Sequence, residues 1–460
     1  MESLDKGSSS VSEARSYVIE GKGDLEAERI AFGVANMASN KAYLYAVADN
    51  GGDADGAILR RFQDRFRWYR ESWRGLPARA VAEKRWGQEF TALDYPPLCV
   101  DVESAAVCDL ACPFCFRQWI ATPDKIVDFD LFRRIVDQCA ELGVPSMKLN
   151  WRGEPLLHPK LPEMIDLAKR AGILEVIINT NATTLDEKKS RELIDAGLDM
   201  MIYSFDGGSK ETYERMRPGR FKANRFDDVY ANIRRFDEIR SEMGAVFPRT
   251  RIQMVLTEET FPEREAFFGL FEDSVDHVSV KAYTERGGKI SELDAETRER
   301  LADEIAHLKL PDDAPVRRDL HGTLYVSTGR LPCEQPFQRL LVTYDGRVSM
   351  CCYDWGSQYP VGYVDAQAIE AGEREYANVL EKIAEGAKGF EGMAGAVMPE
   401  KMNAPDPVVR SLQEIWHGAD ITHVRRKHVC GAGGEVRACR RCTFRETYAW
   451  QSIGDDKPDA

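Results

Sequence analysis

The chain has 460 residues, 43% hydrophobic and 30% charged, with 62 Lys and Arg against 76 Asp and Glu for a net charge of -14. That length buries a large core, in two or three domains or one barrel with attachments, and the acidic balance argues against a grip on phosphate backbones, so nucleic acid is not an expected partner. No run of about 18 apolar residues could span a bilayer and no charged start leads into an apolar signal segment, so a cytoplasmic protein without a membrane partner is expected.

Residues 1–25 are polar and rich in Ser and Gly, and are expected to be a disordered tail. Residues 26–97 read as a mainly helical region. Within it, Leu59, Phe62, Phe66 and Tyr69 recur every three or four residues, predicting an amphipathic helix with an aromatic stripe for packing and Arg on its outer face. Residues 98–310 alternate six β-rich runs, "LCVDVES", "SMKLNWR", "LEVIINTN", "LDMMIYSFDGG", "TRIQMVLT" and "HVSVKAY", with amphipathic stretches such as "HPKLPEMIDLAKRAG", which Gly172 should stop. Repeated β/α units predict a parallel sheet with right-handed crossovers, an α/β fold that is either open or a partial barrel. From 311 to 450 short strands and turns take over, including a hairpin turning at Asp345-Gly346, and residues 451–460 are expected to be a second disordered tail.

Nine of the eleven cysteines fall in two tight regions, and in a reducing compartment they read as metal ligands or reactive thiols before disulfides. Cys99 and Cys139 lie in apolar runs and are expected to be buried small hydrophobes. Cys108, Cys112 and Cys115, in "CDLACPFC", directly follow the first strand, where barrels gather their chemistry. A structural zinc requires four protein ligands, and this run offers three thiols. A 4Fe-4S cluster also normally takes four thiolates, so three leave one iron free for another ligand. The second group comprises Cys333, then Gly346 before Cys351 and Cys352, and later Cys430, Cys439 and Cys442. Four cysteines at that spacing suit tetrahedral zinc as well as an iron-sulfur cluster.

The CxxxCxxC pattern with an aromatic before its last cysteine, placed after the first strand of a β/α domain, resembles the radical S-adenosylmethionine enzymes. The resemblance implies a partial (β/α)6 barrel over 98–310. In that family three cysteines hold a 4Fe-4S cluster whose fourth iron binds the methionine part of S-adenosylmethionine, and one-electron cleavage releases a 5'-deoxyadenosyl radical that takes a hydrogen atom from substrate. "RGEP", Arg152 to Pro155, resembles the GGEP motif, which implies that Gly153 and Glu154 hold the methionine amino group; Arg152 replaces the first glycine. "NTNATTL" and "YSFDGG" are similar to further strand-end segments, implying that Asn179, Asn181 and Ser204 face the ribose and carboxylate. Phe114 would flank the adenine, and Arg225 or Arg251 would reach the carboxylate. Residues 311–450 resemble the extension called SPASM or twitch, which implies an auxiliary 4Fe-4S cluster on Cys333, Cys351, Cys439 and Cys442; Cys352 and Cys430 are surplus, Cys352 as an alternative ligand to Cys351 and Cys430 as an alternative to one of the CxxC pair. No cysteine follows Cys442, so one auxiliary cluster is expected.

An external one-electron donor such as flavodoxin or ferredoxin is implied as a partner. With one auxiliary cluster, the chain is similar to family members in which that cluster accepts the electron left on a substrate radical, implying oxidation of a sugar- or cyclitol-type natural-product or polysaccharide precursor. The competing expectation is modification of a peptide or protein. A non-catalytic iron-sulfur or zinc scaffold is a third, and the "RGEP" and "SFDGG" strand ends stand against it. No catalytic acid or base is assigned; His158, Lys281, Tyr353 and Asp354 are candidates of low rank, His158 reading first as a helix cap and the other three as ordinary polar residues.

Overall fold

The computed structural model describes residues 16–18, 24–53, 55–82, 93–119, 123–283, 293, 295–310, 314–319, 322–354, 357, 359–370, 407–440, 442, 444 and 447–453. The chain enters through a short strand, β1 (Ser16–Val18), which pairs parallel with a barrel strand through Ser16↔His277. The expected N-terminal tail therefore contains sheet. Three helices follow, α1 (Asp24–Asn36), α2 (Lys41–Asp49) and α3 (Ala57–Ala82).

Six parallel strands come next: β2 (Cys99–Val102), β3 (Ser146–Lys148), β4 (Glu175–Thr180), β5 (Met200–Ser204), β6 (Arg249–Leu256) and β7 (His277–Ala282). Each pairs with its neighbour in chain order, forming the partial barrel. Between them run α4 (Phe129–Leu142), α5 (Leu161–Arg170), α6 (Glu187–Asp195), α7 (Lys210–Met216), α8 (Phe226–Glu242) and α9 (Arg264–Phe271). Alternate strand residues, Val100 and Val102, Val176 and Ile178, Ile252 and Met254, share one core with Leu131, Phe132 and Ile135 of α4. The pleat turns their chain neighbours to the other face, so Asp101, Asn179 and Gln253 lie inside the barrel. Asp128 caps α4 by accepting from the backbone of Asp130 and Leu131, and Gly143, at φ 74, ends it in a conformation that side chains disfavour.

The N-terminal helices close the barrel at the N-terminal ends of its strands. Glu175, the first residue of β4, is buried and accepts from the Tyr69 hydroxyl at 2.9 Å, with Arg29 and Arg70 beside it. Arg70 thus faces inward, contrary to the expected outer arginine face of α3, because a buried carboxylate awaits it there. Asp199, just before β5, receives Lys169 Nζ at 2.7 Å and Asn40 Nδ2 at 3.0 Å. Lys169→Met would strand the Asp199 charge in the interior, and a loss of about 3–5 kcal/mol is expected in denaturant unfolding.

After α10 (Ala295–His307), strands β8 (Val316–Arg318) and β9 (Leu324–Arg330) build a small antiparallel sheet with the last strand, β13 (Tyr448–Ile453). That strand occupies the start of the expected C-terminal tail. A short helix, α11 (Gln335–Gln338), leads into β10 (Arg339–Val342), which pairs parallel with β2 and antiparallel with β11 (Arg347–Ser349). Strand β12 (Pro360–Tyr363) completes a ten-stranded sheet, so the C-terminal part continues the barrel sheet directly. Helices α12 (Leu412–Trp416), α13 (Ala419–Val429) and α14 (Arg437–Arg440) pack behind it. Among the described residues no helix is long and apolar enough to cross a membrane.

Candidate metal and cofactor site

The loop after β2 carries Cys108, Cys112 and Cys115 at the C-terminal ends of the strands. It is tied down on several sides: the Ser104 hydroxyl donates to Leu149 O at 2.6 Å, Ala111 N to Pro218 O at 2.8 Å, and Arg220 N to Asp109 O at 2.7 Å. Burial pushes the Cys112 thiol up to about 12, against the pull of the Arg217 guanidinium. The Cys108 thiol is pushed up by burial and then by the Glu154 carboxylate. Thiols so reluctant to ionise become thiolates when a metal supplies the compensating charge.

The "RGEP" segment is sewn to this loop. A Cβ on Gly153 would lie 2.3 Å from Ala105 O and 2.4 Å from Val107 O, so only glycine lets the two backbones meet, and Glu154 N donates to Val107 O at 2.9 Å. Gly153→Ala must displace backbone on both sides. A loss of about 3 kcal/mol, the upper end for overpacking, is expected in thermal unfolding, together with poor retention of iron at the first cysteine set. Arg152, in place of the family's first glycine, turns its guanidinium aside to pair twice with Glu103, at 2.6 and 2.8 Å, both side chains being buried.

Glu154 is 3% exposed and accepts from Leu156 N (3.0 Å), the Thr180 hydroxyl (2.6 Å) and Asn181 N (2.7 Å). Burial raises its carboxyl to about 7, with these hydrogen bonds opposing the rise. Asn179 Oδ1 is buried with no partner among the described residues, while its backbone N–H is taken by Asn150. Asn181 braces the cysteine loop: its Nδ2 donates to Asp109 Oδ1 at 2.8 Å and lies 4.0 Å from Cys108 Sγ. Ser204 ends β5 opposite Gln253.

Of the two arginines expected at a carboxylate, Arg225 is exposed at the N-cap of α8, and Arg251 sits early in β6 at the closed floor, near Arg29 and Glu175. Among the arginines the fold brings to the cysteine loop is Arg217, paired with Asp206 at 2.6 Å and 5.9 Å from the Phe114 ring centroid. Its stretch, "ERMRPGR", carries no pattern that marks it from the other arginines. His158 bridges Val127 O and Lys160 N, but the N-cap of α5 is Lys160 and no side chain caps that helix, so the expected helix cap is replaced by a loop bridge; Asp354 is buried against Ser349 and Tyr359 N.

In the C-terminal part Cys333, Cys351, Cys439 and Cys442 line one cavity, together with Arg330 and His428. The first three are each 8% exposed, and burial and their mutual repulsion push their thiols well up. Cys430 is exposed at the end of α13, and Cys352 lies outside the cavity, its carbonyl accepting from Trp151 Nε1 at 2.9 Å. Among the described residues no three His, Cys, Asp or Glu side chains close on a single-ion site; the four thiols are ranged around a space.

Residues 102–268 match the model of the Radical SAM superfamily, and residues 333–375 match SPASM, an iron-sulfur cluster-binding domain. The tungsten-containing aldehyde ferredoxin oxidoreductase cofactor-modifying protein of Pyrococcus furiosus is 26% identical over 170 residues, 35% of this chain and 44% of that protein. The GTP 3',8-cyclase of Chlorobaculum tepidum is 30% identical over 131 residues, 28% of this chain and 38% of that one. The chain thus spans less than half the length of either relative. Among solved structures, Streptococcus suis SuiB bound to precursor peptide SuiA aligns over 81% of this chain and 73% of that chain, at 15% identity and a TM-score of 0.46.

Proposed function

As the chain belongs to the radical S-adenosylmethionine superfamily and carries a C-terminal iron-sulfur cluster-binding domain, we propose that it oxidises a hydroxyl-bearing carbon of a sugar- or cyclitol-type precursor. Cys108, Cys112 and Cys115 would hold a 4Fe-4S cluster that, with S-adenosylmethionine, would supply one-electron reductive cleavage, and Cys333, Cys351, Cys439 and Cys442 would hold a second that would supply an electron acceptor. The carrying observation is the cavity ringed by four thiols of the chain itself. Four protein ligands leave no position for substrate, which suits electron transfer. Three thiols at the first loop leave one position, and the groups around it suit a methionine-derived ligand.

Glu154 offers a buried carboxylate to an ammonium, and the unpartnered Asn179 Oδ1 offers an acceptor to a hydroxyl or N–H. Gly153 sets the distance between that carboxylate and the cysteine loop. Because the Glu154 carboxyl is raised to about 7, it holds a proton below that pH, and an incoming ammonium must expel it. Affinity for S-adenosylmethionine is therefore expected to weaken as pH falls through 7, approaching about tenfold per unit below it, and to weaken again above about 8, where the free ligand's amino group loses its own proton. Calorimetry in buffers of different ionisation enthalpy should find release of close to one proton at about pH 6 and net uptake at about pH 8.5.

The N-terminal region bears on the substrate. Its described residues between 26 and 97 form helices that seal the barrel floor, away from the cysteine loop, so they do not present a peptide at the mouth. This supports a small substrate, with an external flavodoxin or ferredoxin as electron donor. The test is a reconstituted, reduced enzyme offered deuterated polyols, aminocyclitols and peptides. Deuterium in 5'-deoxyadenosine with a carbonyl product from a polyol or aminocyclitol is expected. Transfer from a peptide alone would assign the peptide-modifying class instead.

A further inference from the structure

We propose that His428 is a positioning residue for the auxiliary cluster, donating an N–H···S hydrogen bond to Cys439 that favours uptake of an electron. The inference rests on the reading of Cys333, Cys351, Cys439 and Cys442 as the ligands of that cluster. His428 lies in the last turn of α13 and is 3% exposed. The backbone N–H of Cys333 points at its Nδ1, 3.3 Å away, so Nδ1 is the acceptor and the neutral ring carries its hydrogen on Nε2. That Nε2 stands 3.4 Å from Cys439 Sγ. One ring thereby joins two ligand-bearing segments more than a hundred positions apart in the chain.

The ring is held in this pose by a close approach. A Cβ on Gly433 would lie 2.6 Å from His428 Nδ1 and 2.8 Å from Cε1, so the backbone passes against the imidazole only as glycine. One further donor acts in the same sense, Phe444 N–H to Cys442 Sγ at 3.4 Å, while the Arg330 guanidinium, on the cavity wall, donates to the Cys439 carbonyl at 2.7 Å and so holds the backbone of that ligand. Donors aimed at thiolate sulfur withdraw charge from it and stabilise the reduced cluster, which raises its reduction potential.

The test is a redox titration of full-length reconstituted protein followed by electron paramagnetic resonance, with the auxiliary signal recognised by its indifference to S-adenosylmethionine. His428→Leu removes the donor; His428→Gln keeps an amide N–H near the position of Nε2. At a fixed potential His428→Leu should raise the oxidised-to-reduced ratio of the auxiliary site about tenfold, which is about 59 mV for one electron, while His428→Gln stays within about threefold of the parent. Equal potentials in all three proteins would overturn the inference. Should His428→Leu fail to hold its cluster, parent protein labelled with 15N-histidine decides. Weak nitrogen coupling to the reduced auxiliary cluster is expected, whereas no coupling, or the strong coupling of a directly bonded ligand, would overturn the proposal. An auxiliary site without iron in the parent defeats the underlying ligand reading instead.

Discussion

Cys112→Ala is expected to lower reductant-dependent formation of 5'-deoxyadenosine by about three orders of magnitude or more, a rise in barrier of at least about 4 kcal/mol. Cys112 is the buried member of its set, and no other cysteine can replace it. Cys99 and Cys139 are buried elsewhere, Cys99 against Asp101 and Cys139 among the apolar residues of α4. With two thiols left, the loop cannot retain the cluster, so the loss is of the cofactor and not a tuning effect. The fold should survive, because the loop is anchored through backbone hydrogen bonds and the Ser104 and Asn181 side chains. Chromatographic assay of 5'-deoxyadenosine, beside circular dichroism of the variant, separates the two. Activity at parental rates would defeat the radical mechanism.

Cys439→Ala should separate cofactor cleavage from product. Iron is expected to fall from about eight to about four per chain, since one of four ligands of the second cluster is gone. Cleavage of S-adenosylmethionine should continue, because the first loop makes no use of Cys439, while the oxidised product falls by about a hundredfold or more for want of an electron acceptor. The same variant deprives His428 Nε2 of its sulfur partner while the Arg330 bond to the Cys439 carbonyl is kept, so some loosening at the end of α13 should accompany it. Full product formation would give the second site a purely structural role, and zinc in the parent protein would exclude its use as an acceptor.

The contrast between these two cysteines and the residues around them shows how far local text reaches. "CDLACPFC" is legible because ligand spacing is contiguous and follows a recognisable strand. Gly153 and Glu154 are legible for the same reason. His428 is not: it stands near no motif, and its meaning comes from Cys333 and Cys439, which approach it only when α13 packs against α11 and the β9 to β10 connection. Arg217 is similarly silent, and Arg225 and Arg251 were equally good candidates until one proved exposed and the other proved to lie at the barrel floor. Arg70 reads as a solvated face until the buried Glu175 is seen beside it. Cys352 and Cys430 could not be told from ligands by spacing; in the fold neither is among the residues that line the cavity.

By itself the sequence determined the order of the six barrel strands, the helices between them, the β10–β11 turn at Gly346 and the loop that gathers three thiols. Each depends on periodicity or on turn chemistry within a few residues, where backbone sterics and apolar alternation act locally. The tertiary structure decided that β10 docks parallel on β2, that β1 and β13 extend sheets into stretches that look like tails, and that the N-terminal helices plug the barrel floor. Those outcomes depend on pairing edges and burying charges across long separations. A strand's edge accepts any backbone of suitable geometry, and a buried carboxylate any well-placed cation, so neither choice is written near the residues it joins.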